Sequence, residues 1–108
     1  MNNLRQKLEQ QLAGIPGLDL SLYKDTDLLC VQFNGKEIAH FHNGLPELDI
    51  RIPKKFAKKH QLGEPYRSAR HPGRSKNSIW RILTYNSEQD VDDLVTLIGS
   101  LVEEEYSS

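Results

Sequence analysis

The residues best equipped for chemistry stand in two short runs. Ile38-Ala39-His40-Phe41-His42 sets two imidazoles two positions apart, and Leu48-Asp49-Ile50-Arg51-Ile52 does the same for a carboxylate and a guanidinium. In an extended strand, side chains two residues apart share a face, about 7 Å from one another. Each run therefore collects its ionisable groups on one side and its apolar groups on the other. Histidine beside a carboxylate can ligate a divalent metal, or move protons when the carboxylate orients the ring. Glu47 falls on the same side as Asp49, and His71 is a third imidazole that a loop can carry to the same place.

Three readings of this face stand side by side. It is solvated polar surface crossed by ion pairs, or a divalent metal site, or a metal-free ligand or acid–base site. Composition alone assigns no metal, no cofactor and no reaction. Phosphate-cradling glycine loops and the Gly-x-Ser-x-Gly elbow are absent from the sequence. The single cysteine, Cys30, excludes an internal disulfide and a multi-thiolate zinc cage, and its apolar surroundings predict an inert buried thiol.

The elements that must position these groups follow from periodicity. Leu4, Leu8 and Leu12 recur every four residues and predict an N-terminal amphipathic helix, ended by Gly14, Pro16 and Gly17. Alternation over 18–23 and apolar runs at 27–33, 36–42 and 47–52 predict four strands in meander order. Asn34-Gly35 supplies the hairpin turn between the second and third. Pro53 opens a short helix at 54–61, and 64–77 has no periodicity. A fifth strand is predicted at 78–85. A helix then follows from Ser87, with Asp90 placed for a capping box and an apolar stripe from Val91 to Val102. The expected fold is α+β: an antiparallel sheet of about five strands, packed on one face by the N- and C-terminal helices, in one domain over residues 1–108.

A two-residue turn at Asn34-Gly35 predicts Phe33 opposite Lys36, Val31 opposite Ile38 and Leu29 opposite His40. A loop at 43–46 predicts His42 opposite Glu47, His40 opposite Asp49 and Ile38 opposite Arg51. Leu28, Cys30, Ala39, Phe41, Leu48, Ile50 and Ile52 then share the core face, and Leu18, Leu20 and Leu22 join it when the first hairpin keeps an even register. Leu29, Val31, Phe33 and Ile38 fall beside the histidines, a half-apolar, half-ionisable wall of the kind ligand pockets use.

Charge is balanced overall, at −1, but not along the chain. Residues 54–81 carry nine basic groups against Glu64 alone, and 86–108 carry seven acidic groups and no base. The basic stretch offers Lys54, Lys55, Lys58, Lys59, Arg67, Arg70, Arg74 and Lys76 to a nucleic acid; the competing expectation is neutralisation in cis by the acidic last helix. A pI near 6.4 argues against a dedicated nucleic-acid binder. A protein-interaction module or homodimer using that acidic helix is the third possibility. No stretch approaches the ~20 apolar residues of a membrane span, and no apolar leader follows Met1. The expectation is a soluble, cytoplasmic domain.

From about residue 36 to 106 the chain resembles a family of small uncharacterised proteins described as luciferase-like domains. The matching residues are Ile38-Ala39-His40-Phe41-His42, Leu48-Asp49-Ile50-Arg51-Ile52-Pro53, His71-Pro72, Trp80-Arg81-Ile82-Leu83 and the helix through Leu94, Leu97 and Tyr106. The resemblance implies that His40, His42, Asp49, Arg51 and His71 form one ligand site; it does not imply light emission. The order of elements is also similar to the MmcQ and YjbR group of α+β domains, a likeness of topology that does not fix function.

Overall fold

A computed structural model of the chain describes residues 3–63 and 78–107. The order is α1 (Asn3–Ala13), β1 (Leu18–Leu22), β2 (Leu29–Phe33), β3 (Lys36–His42), β4 (Glu47–Arg51), α2 (Lys54–Lys59), β5 (Trp80–Thr84) and α3 (Glu88–Leu101). One wider π-helical turn, Val102–Tyr106, continues α3. The five strands form one antiparallel sheet in sequential order, as the meander pattern requires. The predicted elements are all present, with α2 and several strands one to three residues shorter than expected.

The turns follow from residue type. Asn34 and Gly35 both take positive φ (52° and 85°), the combination that lets a two-residue turn match the twist of its strands. Gly17 (φ 88°) lies against Phe33, and a Cβ there would come within 2.4 Å of the ring. Ser87 accepts a hydrogen bond from the Asp90 amide at 3.1 Å, while Asp90 Oδ2 accepts one from the Asn86 amide at 2.8 Å. Together they satisfy donors that the start of α3 leaves open.

One sheet face is covered by helices. Leu8 and Leu12 of α1, Val91, Leu94, Ile98 and Leu101 of α3, and Phe56 of α2 are buried in one cluster with Val31, Phe33, Ile38, Ala39, Phe41, Leu48 and Ile50. At roughly 1.5–3 kcal/mol per buried side chain, this cluster is the main stabilising term.

The register departs from expectation at one point, and that point sets the chemistry of the other face. Phe33 opposes Lys36 as expected, but Val31 opposes Ala39 and Cys30 opposes His40, not Ile38 and Leu29. The shift between Val31 and Gln32 leaves Ile38 as an extra residue on β3, a β-bulge. Ile38 and Ala39 then both point into the helix-covered core, which removes two side chains the regular ladder would have divided between faces. Two corrections follow. Cys30 lies on the histidine face rather than the core face, although it is buried. Leu29, Val31, Phe33 and Ile38 belong to the core side, not beside the histidines. The β3–β4 ladder keeps the expected pairs, His40 with Asp49 and His42 with Glu47.

Candidate functional site

The face away from the helices is built from alternate residues of the three strands β3, β4 and β5. His40 and His42 come from β3, Glu47, Asp49 and Arg51 from β4, and Trp80 and Ile82 from β5, where Asp49 pairs with Ile82 and Arg51 with Trp80. Cys30 and Glu37 reach the same face because of the bulge. Glu37 and His40 are three apart and would point to opposite sides of a regular strand; the extra residue between them puts both on one side.

Burial here equals that of the apolar core. Asp49 has no exposed surface, Glu47 is 3% exposed and His42 4%. The His40 side chain keeps 17% of its surface. Such polar groups are tolerated in an interior only when others satisfy them. His42 Nδ1–H donates to Glu47 Oε1 at 2.8 Å. That bond fixes the tautomer and turns Nε2 toward Asp49, whose Oδ2 lies 3.4 Å away. The same Oδ2 is 3.3 Å from His40 Nε2. On its other side, His40 Nδ1 is 3.5 Å from Glu37 Oε2. The two imidazoles are tilted against each other at a centroid distance of 5.4 Å, and His40 lies 5.3 Å from the Trp80 ring. One ligand atom each from His40, His42 and Asp49 thus lies within 4.8 Å of the other two.

Arg51 shares the face but stands at the exit of β4. Its carbonyl accepts a hydrogen bond from the Tyr106 hydroxyl at 2.5 Å. Burial raises the Tyr106 phenol and the Arg51 charge opposes the rise. Among the described residues Arg51 forms no ion pair, so the close cluster is His40, His42 and Asp49 without it. His71 lies outside the described residues.

Cys30 is no nucleophile. Burial, then a side-chain hydrogen bond with Glu37 and the negative charge of that residue, push its thiol up to about 12.

Of the basic candidates, Lys54, Lys55, Lys58 and Lys59 lie on α2, while Arg67, Arg70, Arg74 and Lys76 lie outside the described residues. Lys59 donates to Glu104 Oε1 at 2.8 Å, and Lys7 meets Glu88 and Asp92 of α3 at 3.3 and 3.7 Å. The acidic last helix is thus neutralised in part by α2 and in part by α1.

The match to the luciferase domain family model spans residues 35–100, from the β2–β3 turn to the last turn of α3. The chain belongs to the luciferase domain family. The matched stretch holds both imidazoles, Glu37, Glu47, Asp49, Arg51 and Trp80, so the whole described cluster except Cys30 falls inside the luciferase domain; α1, β1 and β2 lie before it. No curated protein and no solved structure matches the chain. Among the described residues, no helix is long and apolar enough to cross a membrane.

Sequence reasoning missed Glu37, Cys30 and Trp80 as neighbours of His40. The first two depend on the bulge, which no residue type announces. Trp80 depends on the β4–β5 register, for which no short turn fixes the count.

Proposed function

We propose that this domain binds a small ligand through His40, His42 and Asp49, a ligand that brings positive charge or protons to donate. The observation that carries this reading is the convergence of two imidazole nitrogens and a carboxylate oxygen on one point of a sheet face. Strands hold all three, and Glu37 and Glu47 back the rings. Every group aimed at that point is an acceptor or can become one, so a cation or a strong donor is the complementary partner. The full binding set is His40, His42, Asp49, Arg51 and His71, with the first three at its centre. The domain is proposed to comprise residues 1–108 and to work in the cytoplasm.

The test is an NMR titration of the imidazole ¹⁵N resonances with methylammonium and guanidinium, and with acetate as the contrast. The reading expects His40 and His42 to shift with the cations and not with acetate. Silence at both rings toward these cations and toward divalent metal ions alike would overturn it. Nucleic acid and a second copy of the chain are the competing partners. They would show as salt-dependent affinity for DNA or RNA and as a doubled mass in solution.

A further inference from the structure

We infer that the ligand at the centre of this site is a divalent first-row transition ion held by Nε2 of His40, Nε2 of His42 and Oδ2 of Asp49. The inference rests on the ligand-binding reading above and narrows its ligand class.

The donor spacing is the first argument. Zinc binds imidazole nitrogen and carboxylate oxygen at about 2.0–2.2 Å, which sets neighbouring donors roughly 2.9–3.4 Å apart. Asp49 Oδ2 stands 3.3 Å from one Nε2 and 3.4 Å from the other. The carboxylate is therefore already at ligand distance from both rings.

The proton inventory is the second. The His42 proton sits on Nδ1, where it meets Glu47 at 2.8 Å, so in the neutral ring Nε2 presents a lone pair to Asp49. Lone pair against carboxylate is repulsive unless a proton or a metal ion lies between them. A histidine whose outer nitrogen is held by a carboxylate is the arrangement that metal-ligating imidazoles adopt, because it fixes the tautomer and makes the inner nitrogen more basic. Glu47 fills that role for His42, and Glu37, 3.5 Å from Nδ1, is placed to do so for His40. Three carboxylates around two imidazoles also favour a doubly charged guest over a neutral one.

Ligand type narrows the ion. Two imidazoles and one carboxylate suit zinc, iron, cobalt or manganese rather than calcium or magnesium, which prefer all-oxygen shells. Three protein ligands leave at least one position for water or a small molecule. Of the three ligands His40 keeps the most accessible surface, 17% of its side chain.

The chain's one tryptophan supplies the readout, since its ring lies 5.3 Å from that of His40. The full chain is titrated with Co(II), following the cobalt absorption bands and the quenching of Trp80 fluorescence, and then with Zn(II). The expected result is one saturable site per chain, for which zinc and cobalt compete. Binding should weaken on acidification as protons compete for the imidazoles. His40→Ala, at the most exposed of the three ligands, should lower affinity by more than about 100-fold. Glu47→Gln, which keeps the shape but not the charge, should lower it by roughly 10–100-fold, and His60→Ala should leave it unchanged. Circular dichroism of each variant confirms the fold, and Glu47→Gln decides the matter if His40→Ala does not fold. Absence of a saturable site in the wild type, or affinity indifferent to both substitutions, would overturn the inference. If methylammonium or guanidinium moves the His40 and His42 resonances while Co(II) and Zn(II) do not bind, the metal is wrong and the ligand site stands. If none of them acts, both readings fall.

Discussion

Among the described residues, histidine meets carboxylate in two places, and they differ in everything except residue type. At the helix surface, His60 stacks on Phe56 with centroids 4.0 Å apart, and its Nε2 donates to Glu104 at 3.2 Å, where Lys59 also binds. That His60 side chain is 28% exposed, and the pair joins α2 to the turn after α3. On the sheet, His40, His42, Asp49 and Glu47 are held by paired backbone ladders and largely removed from water. Exposed pairs have water as an alternative partner and are worth little. Buried ones have no such alternative, so their geometry is strict and each missing partner is costly. Chemistry that depends on donor direction belongs to the second kind of site.

The contrast is sharpest on removing a carboxylate. Asp49→Ala should cost about 3–5 kcal/mol in chemical denaturation, as expected when one member of a buried ionic cluster is deleted. A cost below about 1 kcal/mol would place Asp49 in contact with water instead. Glu47→Gln is milder, since the amide oxygen can still accept from His42 Nδ1. About 1–3 kcal/mol is expected, the range for weakening a buried charge-assisted bond.

Alkaline titration probes the same face through Cys30. Its thiol is raised from the ordinary 9.0 to about 12, so the protonated form is favoured in the folded chain. That contribution to stability is complete below the ordinary thiol value and is lost as the pH rises toward 12. Native Cys30 should accordingly react with iodoacetamide at pH 8 far more slowly than in the urea-unfolded chain. Equal rates would contradict the burial.

The smallest effect belongs to the surface pair. Hydrogen bonds from Lys59 and then His60 hold the Glu104 carboxyl below its usual value. What the pair contributes is present above the ordinary carboxylate range and lost as the pH falls through the lowered value. Glu104→Gln should leave the unfolding midpoint at neutral pH and moderate salt unchanged. A clear loss would show that this pair, too, is screened from water.

Much of this was legible from residue order. Period-two alternation in Leu48–Ile52, the Asn34-Gly35 turn and the stripe from Val91 to Val102 all report local rules, and all appear in the fold. His40 opposite Asp49 and His42 opposite Glu47 followed from a short loop between strands. The bulge at Ile38 did not follow, because either of two registers keeps Phe41 and Leu48 in the core. Only packing against α1 and α3 selects the one that also buries both Ile38 and Ala39. With that single extra residue, Cys30 changed faces and Glu37 came beside His40, so the outer support of the site was invisible while its centre was not.

The most direct measurement is the long-range ¹H–¹⁵N spectrum of the histidine side chains before and after one equivalent of Zn(II). The account expects the Nε2 resonances of His40 and His42 to move together while those of His60 stay in place. Movement of His60 alone, or no movement of His40 and His42, would contradict it.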